Sequence, residues 1–190
     1  MEIRNLGSKT LWIKGKSESL LINPADTLLA ENKHKSRIII FSDGGPRKIL
    51  DNDRVVINGP GEYEIGGIEV RGIRMSEAAI AYVLTVDGVK IGVVLGGGSQ
   101  EIEKISSELE VSDILVVEAG AEDRYLIGLA HRIGVNYLIP LAGEEERQKL
   151  EAFLDAADTE GKAAVESLKI ERTELPEGIE VVVLKANDGS

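Results

Sequence analysis

The stretch that decides the fold is Val56–Ile73, VINGPGEYEIGGIEVRGI, in which two short alternating runs flank Gly66-Gly67. A two-residue Gly-Gly loop favours a tight hairpin, because both positions of such a turn can require a positive φ. The loop also sets the register of the two strands, since it places Ile65 directly opposite Ile68. The sequence therefore predicts an antiparallel hairpin over this segment.

The predicted hairpin has one apolar face and one acidic face. The apolar face, expected to pack on a core, consists of Tyr63, Ile65, Ile68 and Val70. The other face carries Glu62 opposite Arg71 and Glu64 opposite Glu69. Grouped carboxylates are the oxygen ligands that Ca²⁺ or Mg²⁺ prefers. Regular alternation is also typical of the solvated face of an ordinary hairpin, and this is the interpretation we favour.

The rest of the sequence predicts a series of strands, followed by alternating strands and helices. Asp87-Gly88 predicts a second hairpin, and the continuous apolar run Arg37–Phe41 indicates a strand buried on both faces. Residues 25–36, ADTLLAENKHKS, are expected to form a polar connection. The predicted helices are Gln100–Glu110, Glu122–Ile133 and Glu144–Ala157, and the two final strands are Ser167–Arg172 and Ile179–Leu184. The expected class is α+β or mixed α/β, with helices covering sheet faces.

Composition limits the functions that this chain can perform. Its 190 residues suit one domain, residues 1–190, and the formal charge of −11 disfavours nucleic-acid partners. With no cysteine and only His34 and His131, chemistry that needs several imidazoles or a thiolate is excluded. Neither a membrane-spanning run nor a signal-like N-terminal stretch is present, so we expect a cytoplasmic protein without a membrane partner.

Several motifs occur in an order that resembles a known family. They are LGSKT, INP, IIIFSDGG, GPGEYEIGGIEVRGI, VDGVKIGVVLGGG, SDILVVEAG and YLIPLAG. This order resembles the metallo-β-lactamase family, and most of all its compact bacterial branch of Zn-dependent hydrolases. The resemblance implies a four-layer αββα sandwich with an active site at one edge, between the sheets. It also implies hydrolysis by a metal-bound hydroxide, since zinc lowers the pKa of bound water.

The positions that correspond to the family's metal ligands lack the expected donors. The buried strand Arg37–Phe41 is followed by SDGGPR where the family has H-x-H-x-D-H, so that Asp43 is the only residue of a metal-binding type there. Gly97 stands where the family has a bridging aspartate, and Ala142 where it has a late histidine. We therefore expect no metal and no cofactor. The candidate residues of a vestigial site or ligand pocket are Ser8, Asn23, Ser42, Asp43, Arg47, Gly97 and Ala142.

Three classes of function remain open at this point. The first is a non-catalytic module that binds a small polar ligand or a protein, with a homo-oligomer as a candidate assembly. The second is a hydrolase with a non-standard metal site or none, using the carboxylates of Asp43, Glu62 or Glu118. The third is a structural subunit.

The loop GGGSQE, residues 96–101, is either an anion cradle or a helix start capped by Ser99, and we favour the cap.

Overall fold

The computed structural model describes residues 1–7, 9–31, 34–44, 53–120, 122–143, 146–159 and 163–186, with residue 31 described in its backbone alone. The strands are β1 (Glu2–Asn5), β2 (Leu11–Lys14), β3 (Ser19–Ile22), β4 (Ile38–Ile40), β5 (Val55–Ile57), β6 (Gly61–Ile65), β7 (Ile68–Ser76), β8 (Ala79–Val86), β9 (Val89–Val94), β10 (Ile114–Glu118), β11 (Tyr137–Leu141), β12 (Leu168–Lys169) and β13 (Glu180–Val181). The helices are α1 (Asp26–Glu31), α2 (Ser99–Lys104), α3 (Ser106–Leu109), α4 (Asp123–Ile133) and α5 (Arg147–Ala156).

The strands form two sheets. The first sheet has six strands in the order β12-β1-β2-β3-β4-β5, and the second has seven in the order β13-β11-β10-β9-β8-β7-β6. The two sheets share a central core because successive side chains of a strand point to opposite faces. Leu11 and Ile13 lie in this core, whereas Trp12 between them packs on the outer face of the first sheet. Tyr82 of the second sheet is fully buried and donates a hydrogen bond of 2.9 Å to the Phe41 carbonyl, which ties the two sheets together.

Helices cover the outer faces of both sheets, so the layers follow the order helix, sheet, sheet, helix. On the first sheet, Leu28 and Leu29 of α1 pack against the cluster that contains Trp12. On the second sheet, the buried helical residues are Ile102, Leu109, Leu126, Leu129, Ala130 and Phe153. This arrangement confirms the predicted α+β class and the four-layer αββα sandwich.

The predicted hairpin at Gly66-Gly67 is confirmed in its register. β6 pairs antiparallel with β7, with Ile65 opposite Ile68, and the two glycines have φ values of 58° and 83°. Ile68 and Val70 are buried against the central core, with Tyr63 and Ile65 packed beside them. On the opposite face Glu62, Glu64 and Glu69 are exposed. The acidic side chains therefore lie on the solvated face, as the alternation predicts.

Several predicted boundaries are wrong. The polar connection over residues 25–36 contains α1, because the two leucines of DTLLAE reach an apolar cluster. The helix predicted over Gln100–Glu110 breaks at Ile105 into α2 and α3. The last described helix begins at Arg147, and residues 144–145 of its predicted first turn lie outside the described residues. Both final strands are shorter than predicted, at two residues each.

No helix in the described ranges is long and apolar enough to cross a membrane.

Parallel pairing brings the carboxyl ends of several strands to one edge of the sandwich. Strands β3, β4 and β5 are parallel in the first sheet, and β9, β10, β11 and β13 are parallel in the second. The two sheets meet at this edge, where the Ile80 N–H donates a hydrogen bond of 2.8 Å to the Ser42 carbonyl. Ligands in sheets of this kind commonly bind in the crevice beyond the carboxyl ends of the strands. A ligand site is therefore expected at this edge of the sandwich.

Candidate functional site

Asn23 and Ser42 hold each other at the carboxyl ends of β3 and β4. The Asn23 amide Nδ2 donates to the Ser42 Oγ at 2.8 Å, and the Ser42 backbone N–H donates to the Asn23 Oδ1 at 2.9 Å. Asn23 has a φ of 49°, in the left-handed region that asparagine tolerates better than most residues. The Thr10 hydroxyl also donates to its carbonyl oxygen at 2.9 Å. The polar atoms of the Asn23 side chain thus have partners within the protein.

Asp43, next to Ser42, lies exposed on the loop that follows β4. Ser8 and Arg47, the other two candidates near this loop, lie outside the described residues. The predicted pairing of Asp43 with Arg47 therefore stays a prediction.

Gly97 lines a cavity at the carboxyl end of β9. This edge cavity has a volume of about 260 Å³ and is lined by Val94, Gly96, Gly97, Ile102, Glu118, Ala119, Gly120, Glu122, Leu126 and Lys149. Gly97 has a φ of 84°, and a Cβ there would lie 3.3 Å from the Met75 Cε and 3.3 Å from the Glu101 Oε2. Both the backbone conformation and the space therefore favour glycine at this position.

Ala142 and Ser99 have packing and helical roles instead of lining the site. Ala142 follows β11 and packs against the apolar cluster beneath the helices. Ser99 is the first residue of α2, and the predicted serine cap is wrong, since the Glu101 Oε2 accepts the Gly98 N–H at 3.0 Å. A carboxylate thus already binds the backbone N–H of Gly98 at this helix start.

An ion network links the two sheets at the same edge. Lys9, in the turn between β1 and β2, donates from Nζ to the Glu118 Oε1 at 2.6 Å. The same ammonium lies 3.0 Å from the Glu146 Oε2. Glu146 also accepts the Gly143 N–H at 2.9 Å and forms an ion pair with Lys149. Glu118, which lines the edge cavity, and the neighbouring Glu146 are therefore paired with lysines of this chain.

These contacts favour the charged forms of Lys9 and Glu146. Burial disfavours the charged Lys9 ammonium, but the hydrogen bonds with Glu118 and Glu146 outweigh burial and raise the pKa of Lys9. The hydrogen bond from Lys149, followed by those from Gly143 and Lys9, lowers the pKa of Glu146 from 4.5 to about 2. Because the folded-state pKa of Glu146 is depressed, its stabilising contribution is present above pH 4.5 and is lost as the pH falls toward about 2.

The residues that the structure describes do not form a zinc centre of the kind that the fold suggests. Within the described part of the chain, no three His, Cys, Asp or Glu side chains are grouped so that they could hold a metal ion. A hydrolytic zinc needs three protein ligands and an open position for water. At this edge the nearest carboxylates, Glu118 and Glu146, already have an ammonium between them.

The acidic face of the first hairpin lines a different concavity. This hairpin groove has a volume of about 540 Å³, and its polar lining includes Glu62, Glu64, Glu69, Arg71 and Lys90. Arg71 forms an ion pair with Glu108, with 2.6 Å between the Arg71 Nη2 and the Glu108 Oε2. Two of the three carboxylates proposed for a hydrolase, Glu62 and Glu118, therefore lie in separate cavities and are not brought together.

Lys9, Glu146 and Lys149 are site residues that sequence reasoning missed. Lys9 lies within the LGSKT motif, but its partner Glu118 is 109 positions away. No periodicity links residues so far apart, and an isolated lysine in a turn carries no local signal. His34 is partly buried, with the centroid of its ring 5.5 Å from that of the Trp12 ring.

Comparison with known proteins identifies the fold. No protein-family model matches this sequence, and no curated protein sequence matches it significantly. A protein of Thermotoga maritima described as a candidate Zn-dependent hydrolase of the metallo-β-lactamase superfamily is similar in structure, with a TM-score of 0.71, 17% identity, and coverage of 97% of this chain and 98% of that one. The metallo-β-lactamase-fold protein YhfI of Bacillus subtilis has a TM-score of 0.62 at 11% identity, covering 98% and 97% of the two chains.

A third solved structure extends this likeness to a larger protein. The β-hydroxylase CmlA, as its E377D mutant, has a TM-score of 0.61 at 8% identity over 89% of this chain and 54% of the CmlA chain. The class of protein that these likenesses define is the metallo-β-lactamase fold, and this chain has that fold. The fold that the motifs predicted is thereby confirmed.

Proposed function

We propose that this protein is a non-catalytic metallo-β-lactamase-fold module that works without a metal and binds a small polar ligand in the edge cavity. The observation that carries the proposal is the position of Lys9, whose ammonium binds Glu146 and also Glu118, a residue that lines that cavity. A metal-bound hydroxide requires a cation with free coordination positions. A lysine cannot supply these, because its ammonium only donates hydrogen bonds.

The lining of the edge cavity supports a small ligand. Its walls combine apolar side chains with glycine backbone and the charged groups of Glu118, Glu122 and Lys149. Ligand sites usually combine an apolar lining with a few polar groups, in pockets of about 300–1,000 Å³ for drug-sized molecules. At about 260 Å³ the edge cavity lies just below that range, so the ligand would be smaller. The proposed setting is a single domain in the cytoplasm.

Elemental analysis tests the metal-free part of the proposal. Protein purified without chelator is expected to contain zinc, manganese and iron only at substoichiometric levels, because Glu118 and Glu146 are already paired with Lys9. Plasma mass spectrometry of the purified protein measures this directly. A stoichiometric amount of any of the three metals, retained through gel filtration, would contradict the proposal.

Filling the edge cavity tests ligand binding. Gly120 lines the cavity, and a Cβ there would have the Lys149 Cδ at 3.9 Å as its nearest neighbour, so the backbone at this position has room for the side chain of Gly120→Leu to begin. A compound at about 100 times its Kd stabilises a fold by about 2.7 kcal/mol, which is a rise in Tm of about 5–10 °C in a chain of this length. Thermal shifts with sugar phosphates, nucleosides, amino acids and dicarboxylic acids should show such a compound with the wild-type protein and no shift with Gly120→Leu.

The matched control for this experiment is Gly178→Leu, an exposed position where a Cβ meets nothing within 4 Å. It should respond to the compound as the wild-type protein does. Equal shifts in the two variants would place the binding elsewhere, and no shift with any compound of the panel would count against a small-ligand module.

A hydrolase that uses Glu118 is the second candidate function, because this carboxylate lines the edge cavity. Phosphodiesters, lactones and thioesters are suitable substrates for the test. Turnover that is lost in Glu118→Gln but retained in Glu62→Gln, whose side chain lies in the hairpin groove, would favour the hydrolase over the binding module.

A further inference from the structure

We propose that the Lys9 ammonium is a built-in cation that takes the electrostatic place of a metal ion, holding Glu118 and Glu146 together and joining the two sheets. The inference rests on the proposed metal-free site and deepens it, since it assigns a residue to the charge that a metal would supply. It concerns only residues of this chain and their contacts.

The turn between β1 and β2 presents Lys9 to the other sheet. It is closed by hydrogen bonds from the Leu6 N–H to the Thr10 carbonyl at 2.8 Å and from the Thr10 N–H to the Gly7 carbonyl at 2.7 Å. Lys9 itself has a φ of 64°, in the left-handed region that non-glycine residues other than asparagine and aspartate rarely adopt. The turn therefore holds Lys9 in an unfavourable backbone conformation, and the contacts of its side chain offset that cost.

Those contacts join three separate parts of the fold. The ammonium lies 2.6 Å from the Glu118 Oε1 at the end of β10 and 3.0 Å from the Glu146 Oε2 before α5. One positive charge thus lies between two carboxylates, which is the arrangement of charge that a divalent ion with oxygen ligands adopts. Without a cation between them, the two carboxylates would repel each other.

The network differs from the ordinary exposed ion pairs of this protein. The side chains of Lys9, Glu118 and Glu146 are 26%, 31% and 26% exposed. The pair between Lys185 and Glu166, at 2.7 Å, is 51% and 61% exposed. Exposed pairs contribute little to stability because water and salt screen them. Partial burial and the shared cation lead us to expect a larger effect at Lys9.

The test replaces Lys9 with methionine, which keeps the length of the side chain and removes its charge. The Lys9→Met variant is expected to lose more than about 4 °C in Tm, beyond what one exposed pair produces in a chain of this size. Millimolar Mn²⁺ or Mg²⁺ should restore part of that loss, because Glu118 and Glu146 have then lost the cation that they share, even though Glu146 keeps its ion pair with Lys149. The same ions should leave the Tm of the wild-type protein unchanged.

Three further variants make the outcome decisive. Lys9→Arg, which keeps the charge, should have a Tm close to that of the wild-type protein, and Mn²⁺ or Mg²⁺ should not change it. Lys185→Met should lower the Tm only slightly. Adding Glu118→Gln to Lys9→Met should abolish the rescue. A loss in Lys9→Met no greater than in Lys185→Met, or a loss that neither ion restores, would overturn the inference. Stoichiometric metal in the wild-type protein would instead overturn the proposed function.

Discussion

Replacing Phe153 with alanine is expected to lower the free energy of unfolding by about 3–5 kcal/mol. Phe153 is fully buried and is the one residue of α5 that is buried in this way. It packs in the apolar cluster between the second sheet and the helices, so its removal costs the transfer of a phenyl ring and leaves a cavity. Urea denaturation followed by circular dichroism measures the change.

The same substitution should disturb the edge site, because α5 carries Lys149 and begins directly after Glu146. The control is Gln148→Ala, an exposed position on the same helix, for which we expect a change within about 0.5 kcal/mol. A loss below about 1 kcal/mol in Phe153→Ala would mean that the helix is not anchored through this side chain.

Replacing Gly72 with alanine is expected to cost about 1–3 kcal/mol or more, because the site has no room for a methyl group. A Cβ on Gly72 would lie 2.6 Å from the carbonyl oxygen of Gly59, 3.0 Å from the Tyr82 Cε1 and 3.2 Å from the Pro60 Cα. Two of these neighbours are backbone atoms, and Tyr82 is fixed by its hydrogen bond to Phe41. The segment that precedes β6 would have to move away from β7.

Gly59→Ala is the matched control, since it alters the same NGPG segment at a position where a Cβ meets nothing within 4 Å. Chemical denaturation should show a change within about 0.5 kcal/mol for this variant. Equal stabilities of the two variants would contradict the close approach seen in the structure.

The first hairpin shows how much local sequence determines. Its register follows from the Gly66-Gly67 loop, because a two-residue turn leaves only one way to pair the flanking strands. Its faces follow from alternation, because neighbouring side chains of a strand point in opposite directions. Both could be predicted without tertiary contacts, as could the left-handed Gly134 that ends α4, with a φ of 71°.

Two predictions about helices were wrong, for different physical reasons. Helix α1 forms in a polar segment because Leu28 and Leu29 reach an apolar cluster that contains Trp12 of strand β2. The start of α2 is capped by Glu101 and not by Ser99, although both are polar residues near the helix start. Contacts with a distant strand selected the helix in the first case, whereas a contact between Gly98 and Glu101, three residues apart, selected the cap in the second.

Some features of the candidate site could likewise be predicted from the sequence, and others could not. The order of the sequence motifs, through its resemblance to the metallo-β-lactamase family, predicted the fold and implied the edge at which a site would lie. It did not bring together Lys9, Glu118 and Glu146, which come from a turn, a strand end and a helix start. Only the packing of one sheet on the other places an ammonium within 3.0 Å of both carboxylates, since electrostatic contacts depend on distance in space and not along the chain.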